Sequence, residues 1–277
     1  MHLRATTRRT ATLLTRNPRL FCRVAVGKLK SIRPVPANAR SRRINGVLFE
    51  CGDAPEYFGS YAPLVTHTMR RLLKPGDVFF DVGANVGYLS AIAAGLVGTR
   101  GQVHAFEPAP QHFARLQRLP ELNPDRTIVT NACAAGDADA TRTIYLARAA
   151  GQSTLVSSYK NPAEVVGSEE IRVVRLDSYI EQARIDRIAL IKIDVEGYEL
   201  PVLKGLEKYF RRTGHRPPII CEIAPRAYSL LGGTLSELVR YMLDFGYSAF
   251  DLANGVTPVD VCSIDCVDDV LLLARPV

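Results

Sequence analysis

The chain has 277 residues, 47% of them hydrophobic and 23% charged, a balance that supports one well-filled core and excludes disorder of the whole. The net charge of +7 is uneven: the first 49 residues hold twelve Lys or Arg and no acid, so the remainder carries 23 basic against 28 acidic residues, a net −5. No apolar run approaches the ~20 residues that a membrane-spanning helix needs.

Residues 1–43 read as a basic arm and linker, with the domain proper, 44–277, beginning near Ile44. Stretches such as RATTRR and NARSRR would attract an anionic membrane surface or nucleic acid, and an Arg-rich, acid-free N-terminus also has the character of a transit peptide. A solvated arm is the plain alternative. The six cysteines show no CxxC pair and have no nearby histidines, which suits a cytoplasmic protein, peripheral to a membrane if the arm binds one. Cys262 and Cys266 lie four residues apart, but two ligands do not make a zinc site, and no metal is expected.

After the arm, INGVLFEC suggests a short strand, and YAPLVTHTMRRLL a helix with Val65, Met69, Leu72 and Leu73 on one face. Lys74, Pro75 and Gly76 stop it. From Val78 strands and helices alternate: VFFDV, NVGYLSAIAAGLV, QVHAF, PQHFARLQRL and TIVTNA. Apolar strands separated by amphipathic helices imply an α/β fold, a parallel sheet covered on both faces. Residues 138–180 break this rhythm, and TIYLAR, STLVSS and IRVVRLDSYI suggest inserted strands or a hairpin. The sheet resumes with IALIKI and PIICEI, then the helix LSELVRYMLDFG and the strands YSAFDL and VLLLAR.

The turn after the first core strand reads DVGANVGY. Small residues there let backbone N–H groups approach a ligand at the carboxyl ends of the strands. Dinucleotide sites spell GxGxxG, whereas the spacing here is DxGxxxG, from Asp81, Gly83 and Gly87. A carboxylate two residues before the glycine suits an amino-acid ammonium better than a pyrophosphate. Glu107, 24 residues after Gly83, lies where an acid accepting both ribose hydroxyls is expected.

DVGANVGY, HAFEP, VVRLDSYI, IKIDVEGYELPVLKG and IICEI, in this order and spacing, resemble the FkbM-type class I S-adenosylmethionine-dependent methyltransferases from about Glu50 to the C-terminus. The resemblance implies a Rossmann-like sheet of seven strands, order 3-2-1-4-5-7-6, the last strand antiparallel, with helices on both faces. It implies S-adenosyl-L-methionine as cofactor, with Asp81, Gly83, Ala84, Asn85 and Gly87 at its methionine and ribose end and Glu107 on the ribose. NACAAGD, with Asn131 and Asp137, would pass the adenine.

Asp194 and Glu196 follow the strand IALIKI. An acid there is costly without a partner or a task. Either Asp194 caps a helix starting near Gly197 or positions the cofactor, or one of the two acids is the base that an alcohol acceptor requires. His67, His104, His112 and His215 are scattered, and His104 reads as a core histidine. Enzymes that methylate exocyclic amines commonly carry Asn or Asp followed by Pro-Pro and an aromatic at this strand end, whereas DVEG stands here, which argues against amino-group and nucleic-acid substrates.

The resemblance implies O-methylation of a sugar, glycolipid or polyketide-like hydroxyl. Acceptor choice is expected in GDAPEYFGSY, in residues 138–180 and in AYSLLGG, where Tyr57, Ser60, Tyr61, Ser153 and Tyr228 suit a glycan. Two other classes share the core: an NAD-dependent oxidoreductase, which lacks GxGxxG and any Tyr-x-x-x-Lys, and a non-catalytic cofactor-binding protein recruited by its arm.

Overall fold

The computed structural model describes residues 41–50, 61–147, 153–156, 159, 161 and 163–274. The chain divides into a unit of Ser41–Glu50 and Leu64–Val277 and another of Met1–Arg40 and Cys51–Pro63. Of the latter only residues 61–63 are described. The expectations for the arm up to Arg40, for Tyr57 and Ser60, and for Cys22 and Cys51 therefore fall outside the described residues.

Two short strands open the described chain, β1 (Ser41–Ile44) and β2 (Val47–Glu50), antiparallel and in register from Ser41↔Glu50 to Ile44↔Val47. Asn45 and Gly46 both have positive φ, 49° and 85°, the requirement of a two-residue hairpin turn, and Asn-Gly meets it at low cost. Strand structure thus starts three residues before Ile44. The helix α1 (Pro63–Leu72) buries Val65, Thr66, Thr68 and Met69. Leu73 beyond it is also buried, whereas Leu72 is only half-buried.

The main sheet is built from β3 (Val78–Val82), β4 (Gln102–Phe106), β5 (Thr127–Asn131), β9 (Leu190–Ile193), β10 (Ile219–Ile223), β11 (Tyr247–Asp251) and β12 (Asp268–Ala274). Its order is β11-β12-β10-β9-β3-β4-β5. Numbered as seven core strands this is 3-2-1-4-5-7-6, and β12 runs antiparallel to both β10 and β11. The class I methyltransferase sheet expected from the sequence is therefore present.

Helices α2 (Tyr88–Val97), α3 (Pro110–Leu116) and α4 (Arg118–Leu122) join the first three core strands. Helix α2 is buried along nearly its whole length, as its uninterrupted small and apolar residues dictate.

Residues 138–180 form their own three-stranded sheet in part. Strands β7 (Ala140–Ala147) and β8 (Val165–Val174) make a long antiparallel hairpin, and β6 (Ala134–Ala135) pairs parallel with β8. STLVSS contributes only an isolated bridge, Thr154 to Tyr145. RLDSYI is not a strand but the helix α5 (Leu176–Gln182). Leu176 and Ile180, four residues apart, bury on one side. Asp177 in its first turn takes a 2.6 Å ion pair from Arg175 and a hydrogen bond from the Lys208 amide. Those partners, from outside the segment, override a β-branched sequence that reads as strand.

Alternation along the strands sorts the sheet into two faces. Phe80, Val82, Ile191, Ile193, Ile219, Cys221 and Ile223 join the largest apolar cluster, together with α6 (Glu199–Lys204) and α7 (Glu207–Thr213) through Leu203, Tyr209 and Phe210. Asp81 and Lys192 point to the other face. Beyond β10 lie α8 (Pro225–Leu230) and α9 (Leu235–Asp244), the latter opened by a capping box of Thr234 and Glu237.

Glu199, at the start of α6, is fully buried. It accepts from the Gly197 amide at 2.7 Å and from the Tyr228 hydroxyl at 3.0 Å. Tyr228 is thus engaged inside the fold, not displayed to an acceptor. Burial pushes the Glu199 carboxyl up to about 7 from 4.5. The folded protein therefore holds this proton where the unfolded chain has lost it, so the group's contribution to stability falls as pH rises from about 4.5 to 7. Glu199→Gln removes the charged form, and the pH-dependent loss it relieves is about 3 kcal/mol. Urea midpoints of wild type and variant across this window will converge at the acid end and diverge toward neutrality.

Candidate cofactor and catalytic site

The carboxyl ends of β3, β4 and β9 bring the predicted residues together. Asp81, the fourth residue of β3, is fully buried. The Ser90 hydroxyl, in the first turn of α2, donates to its Oδ2 at 2.6 Å. Its Oδ1 has no hydrogen-bond partner among the described residues, and the nearest cation is the Lys192 ammonium at 3.7 Å. Burial raises its pKa, against the opposing pull of Lys192 and Ser90, with Asp194 and Glu107 adding to the rise.

The turn itself is built by left-handed backbone. Gly83 has φ of +80° and Gly87 +89°, and Asn85 between them has +52°. A Cβ on Gly83 would overlap the Asp194 carbonyl, and one on Gly87 would come within 2.8 Å of Leu116 Cδ1. Glycine is therefore needed twice, once for each neighbouring loop. The Gly83 and Ala84 amides both donate to the Phe106 carbonyl at the end of β4, at 3.0 and 2.9 Å. Ala84 is buried, and Gly87 opens α2.

Glu107 closes this side. Its Oε2 accepts the Asn85 amide and its Oε1 the Ala109 amide, each at 2.8 Å. So the acid expected on a ribose also staples the glycine turn to the start of α3, with lone pairs left for a ligand's hydroxyls. His112 Nδ1 stands 3.7 Å from Glu107 Oε1, a proximity that spacing in the sequence gives no hint of. His104, by contrast, is a core residue: it is buried, Tyr179 Oη lies 2.7 Å from its Nδ1, and desolvation lowers its pKa to about 4.

Asp194 continues the β9 ladder, its amide donating to the Val82 carbonyl at 3.0 Å. It does not cap a helix. Helix α6 begins at Glu199, its N-cap is Tyr198, and no side chain caps it. The Asp194 carboxylate instead sits 3.0 Å from the Lys192 ammonium through Oδ2, with 27% of the side chain exposed, which leaves it accessible to a substrate. Glu196 has φ of +52°, and its carbonyl accepts from the Thr154 hydroxyl at 2.8 Å, tying the inserted segment to the DVEG loop. A Cβ on Gly197 would collide with Ala227, so the same loop lies hard against α8.

Asn131 donates from Nδ2 to the Ala105 carbonyl at 3.1 Å, along the edge of the same sheet end, whereas Asp137 is exposed. Two residues not anticipated from sequence complete the neighbourhood. Lys192 is described below. Glu222, the fourth residue of β10, has a buried Oε2 without a hydrogen-bond partner among the described residues, and burial plus the Asp194 charge drives its carboxyl well above the ordinary range. No group of three or more His, Cys, Asp or Glu suited to a metal ion occurs among the described residues.

Residues 81–249 match the methyltransferase FkbM domain model. The 31-O-demethyl-FK506 methyltransferase FkbM of Streptomyces tacrolimicus is 34% identical over 204 residues, covering 64% of this chain and 74% of that enzyme. The hexuronic acid methyltransferase AglP of Haloferax volcanii is 29% identical over 133 residues, covering 47% of this chain and 50% of that one. This chain thus spans half the length of the archaeal relative it matches. Among solved structures, an FkbM methyltransferase from Methylobacillus flagellatus KT aligns at 20% identity with a TM-score of 0.43, over 75% of this chain and 50% of that one. With the domain match spanning more than half of its length, and with the seven-stranded sheet and the glycine turn in place, the chain belongs to the FkbM methyltransferase-domain family.

Proposed function

We propose that the protein is an S-adenosylmethionine-dependent O-methyltransferase whose acceptor is a hydroxyl of a sugar, glycolipid or polyketide-like small molecule. The observation that carries this is the contact between the glycine turn and the Asp194 loop: Gly83 approaches the Asp194 backbone as only glycine can. A cofactor cradled by the turn then lies beside a half-exposed carboxylate.

Bound at that turn, S-adenosylmethionine supplies an electrophilic methyl group on a sulfonium. The chain's residues do the rest. The Asp81 to Asn85 turn and Glu107 orient, and orientation carries much of the barrier lowering in an in-line displacement. Asp194 Oδ2, fixed by Lys192, sits where a carboxylate can accept the proton of an acceptor hydroxyl. Glu196 stands two residues on in the same loop as the second candidate. The names of the two relatives, one acting on a hexuronic acid and one on a 31-O-demethyl macrolide, support a small oxygen nucleophile as the acceptor.

Calorimetric titration with S-adenosylmethionine, S-adenosylhomocysteine and NAD in parallel tests the cofactor. Binding of the first two without NAD is the expected outcome, while NAD binding alone would return the site to an oxidoreductase. Radiolabelled methyl transfer to a panel of neutral glycosides, uronic acids and amines then tests the acceptor class, with turnover expected on hydroxyls. Activity is expected to survive EDTA, and a loss restored by Mg²⁺ would show that the carboxylates hold a cation.

A further inference from the structure

Extending the methyl-transfer function proposed above, we infer that Lys192 is a positioning residue: its ammonium ties the glycine turn to the Asp194 loop and holds the Asp81 and Asp194 carboxylates in place. Lys192 is the one charged residue of the strand Leu190–Ile193 and is 5% exposed. Strand register places it directly beside Asp81, on the same face. From there Nζ donates to the Gly83 carbonyl at 3.0 Å, lies 3.0 Å from Asp194 Oδ2 and reaches to 3.7 Å from Asp81 Oδ1. A lysine ammonium has three protons. The three oxygens that surround it belong to the strand, the turn and the loop that form the candidate site.

Burying an ammonium is costly unless its partners compensate. Here two carboxylates face one cation, so the ionised cluster carries one negative charge in excess, the complement of a sulfonium ligand's net positive charge. Every charged or hydrogen-bonding group facing Asp81 takes part: Ser90 from α2, Lys192 and Asp194 from β9 and its loop, and Glu107 from the end of β4. Of these only Lys192 supplies positive charge. Without it the turn's acid would hold its proton to higher pH, and a cationic ligand would meet a neutral pocket.

The test is the pH dependence of S-adenosylhomocysteine binding to the full chain by calorimetry, between about pH 5 and 8.5. Wild-type binding establishes the cofactor site, and its absence would overturn the proposed function itself, separately from Lys192. Lys192→Gln keeps a donor for the Gly83 carbonyl but removes the charge. It is expected to bind about tenfold more weakly at pH 7, with the acid-side loss of binding moved up by about one pH unit. Lys192→Arg, which restores the charge, is expected to return the midpoint to that of wild type. A purely structural lysine would give weaker binding with an unmoved midpoint, and that result overturns the inference. If Lys192→Gln does not fold, the charge-balanced Lys192→Gln/Asp194→Asn pair is measured instead. Its midpoint is again expected to rise, because Asp81 still lacks its counter-charge, and a wild-type midpoint overturns the inference.

Discussion

Asp194→Asn is expected to lower methyl transfer by about 10²–10⁴ while leaving S-adenosylhomocysteine affinity within a few-fold of wild type. Asparagine keeps the shape and one oxygen toward Lys192 but cannot take up a proton. Its side chain is partly exposed and pairs with Lys192 through Oδ2 alone, so loss of the charge leaves the backbone contact with Gly83 intact. The expected signature is a fall in kcat with little change in cofactor binding. A variant with full turnover would shift the role of base to Glu196, or to a reaction in which the acceptor arrives already ionised. A variant that loses cofactor binding instead would make Asp194 a cofactor-positioning residue. Glu196→Gln, measured alongside, separates the two acids, since Glu196 is anchored through its carbonyl and not through its carboxylate in the contact to Thr154.

Gly83→Ala carries the second large effect, and it acts on binding and on stability together. The residue has φ of +80°, where a side chain costs about 1–2 kcal/mol. Its Cβ would also collide with the Asp194 carbonyl. That carbonyl cannot move freely, because the Asp194 amide is bonded to the Val82 carbonyl of the neighbouring strand. The two loops must therefore part, and with them the donors that face the cofactor. Cofactor binding is expected to weaken by about 100-fold or more, equivalent to about 3 kcal/mol, read by calorimetry. The urea midpoint is expected to fall measurably. The control is Gly98→Ala at the far end of α2, also at positive φ (+71°) but with nothing within 4 Å of the added Cβ. Strain alone would affect both variants, whereas loss of cofactor binding is expected only at Gly83.

Much of this was legible in the sequence because it is written in local periodicity. Continuous apolar runs such as VFFDV and IICEI mark strands buried on both faces, and the spacing of Asp81, Gly83, Gly87 and Glu107 marks the cradle. The helix α5 was misread as strand because its segment, IRVVRLDSYI, is β-branched, and its stabilising partners, Lys208 and Gly205, lie about 30 residues downstream. The hairpin turn at Asn45 and Gly46 was there to be read, since Asn-Gly between apolar runs is the strongest short hairpin signal. It passed unnoticed inside a stretch that composition marked as arm and linker.

What the sequence by itself determined was the class of fold, the ligand turn and the acids around it, because these depend on residues close together in the chain or on a motif order that the family shares. A lysine in the apolar strand IALIKI also announced that some partner must exist, for a charge buried there is otherwise too costly. Only the tertiary structure decided which partner. Lys192 reaches Gly83 across 109 residues of chain. It turned Asp194 from a possible helix cap into one half of an ion pair, and it engaged Tyr228 with Glu199 instead of with an acceptor. Contacts of that separation follow from strand order and register, which bring distant positions to one sheet end, and no local pattern encodes them.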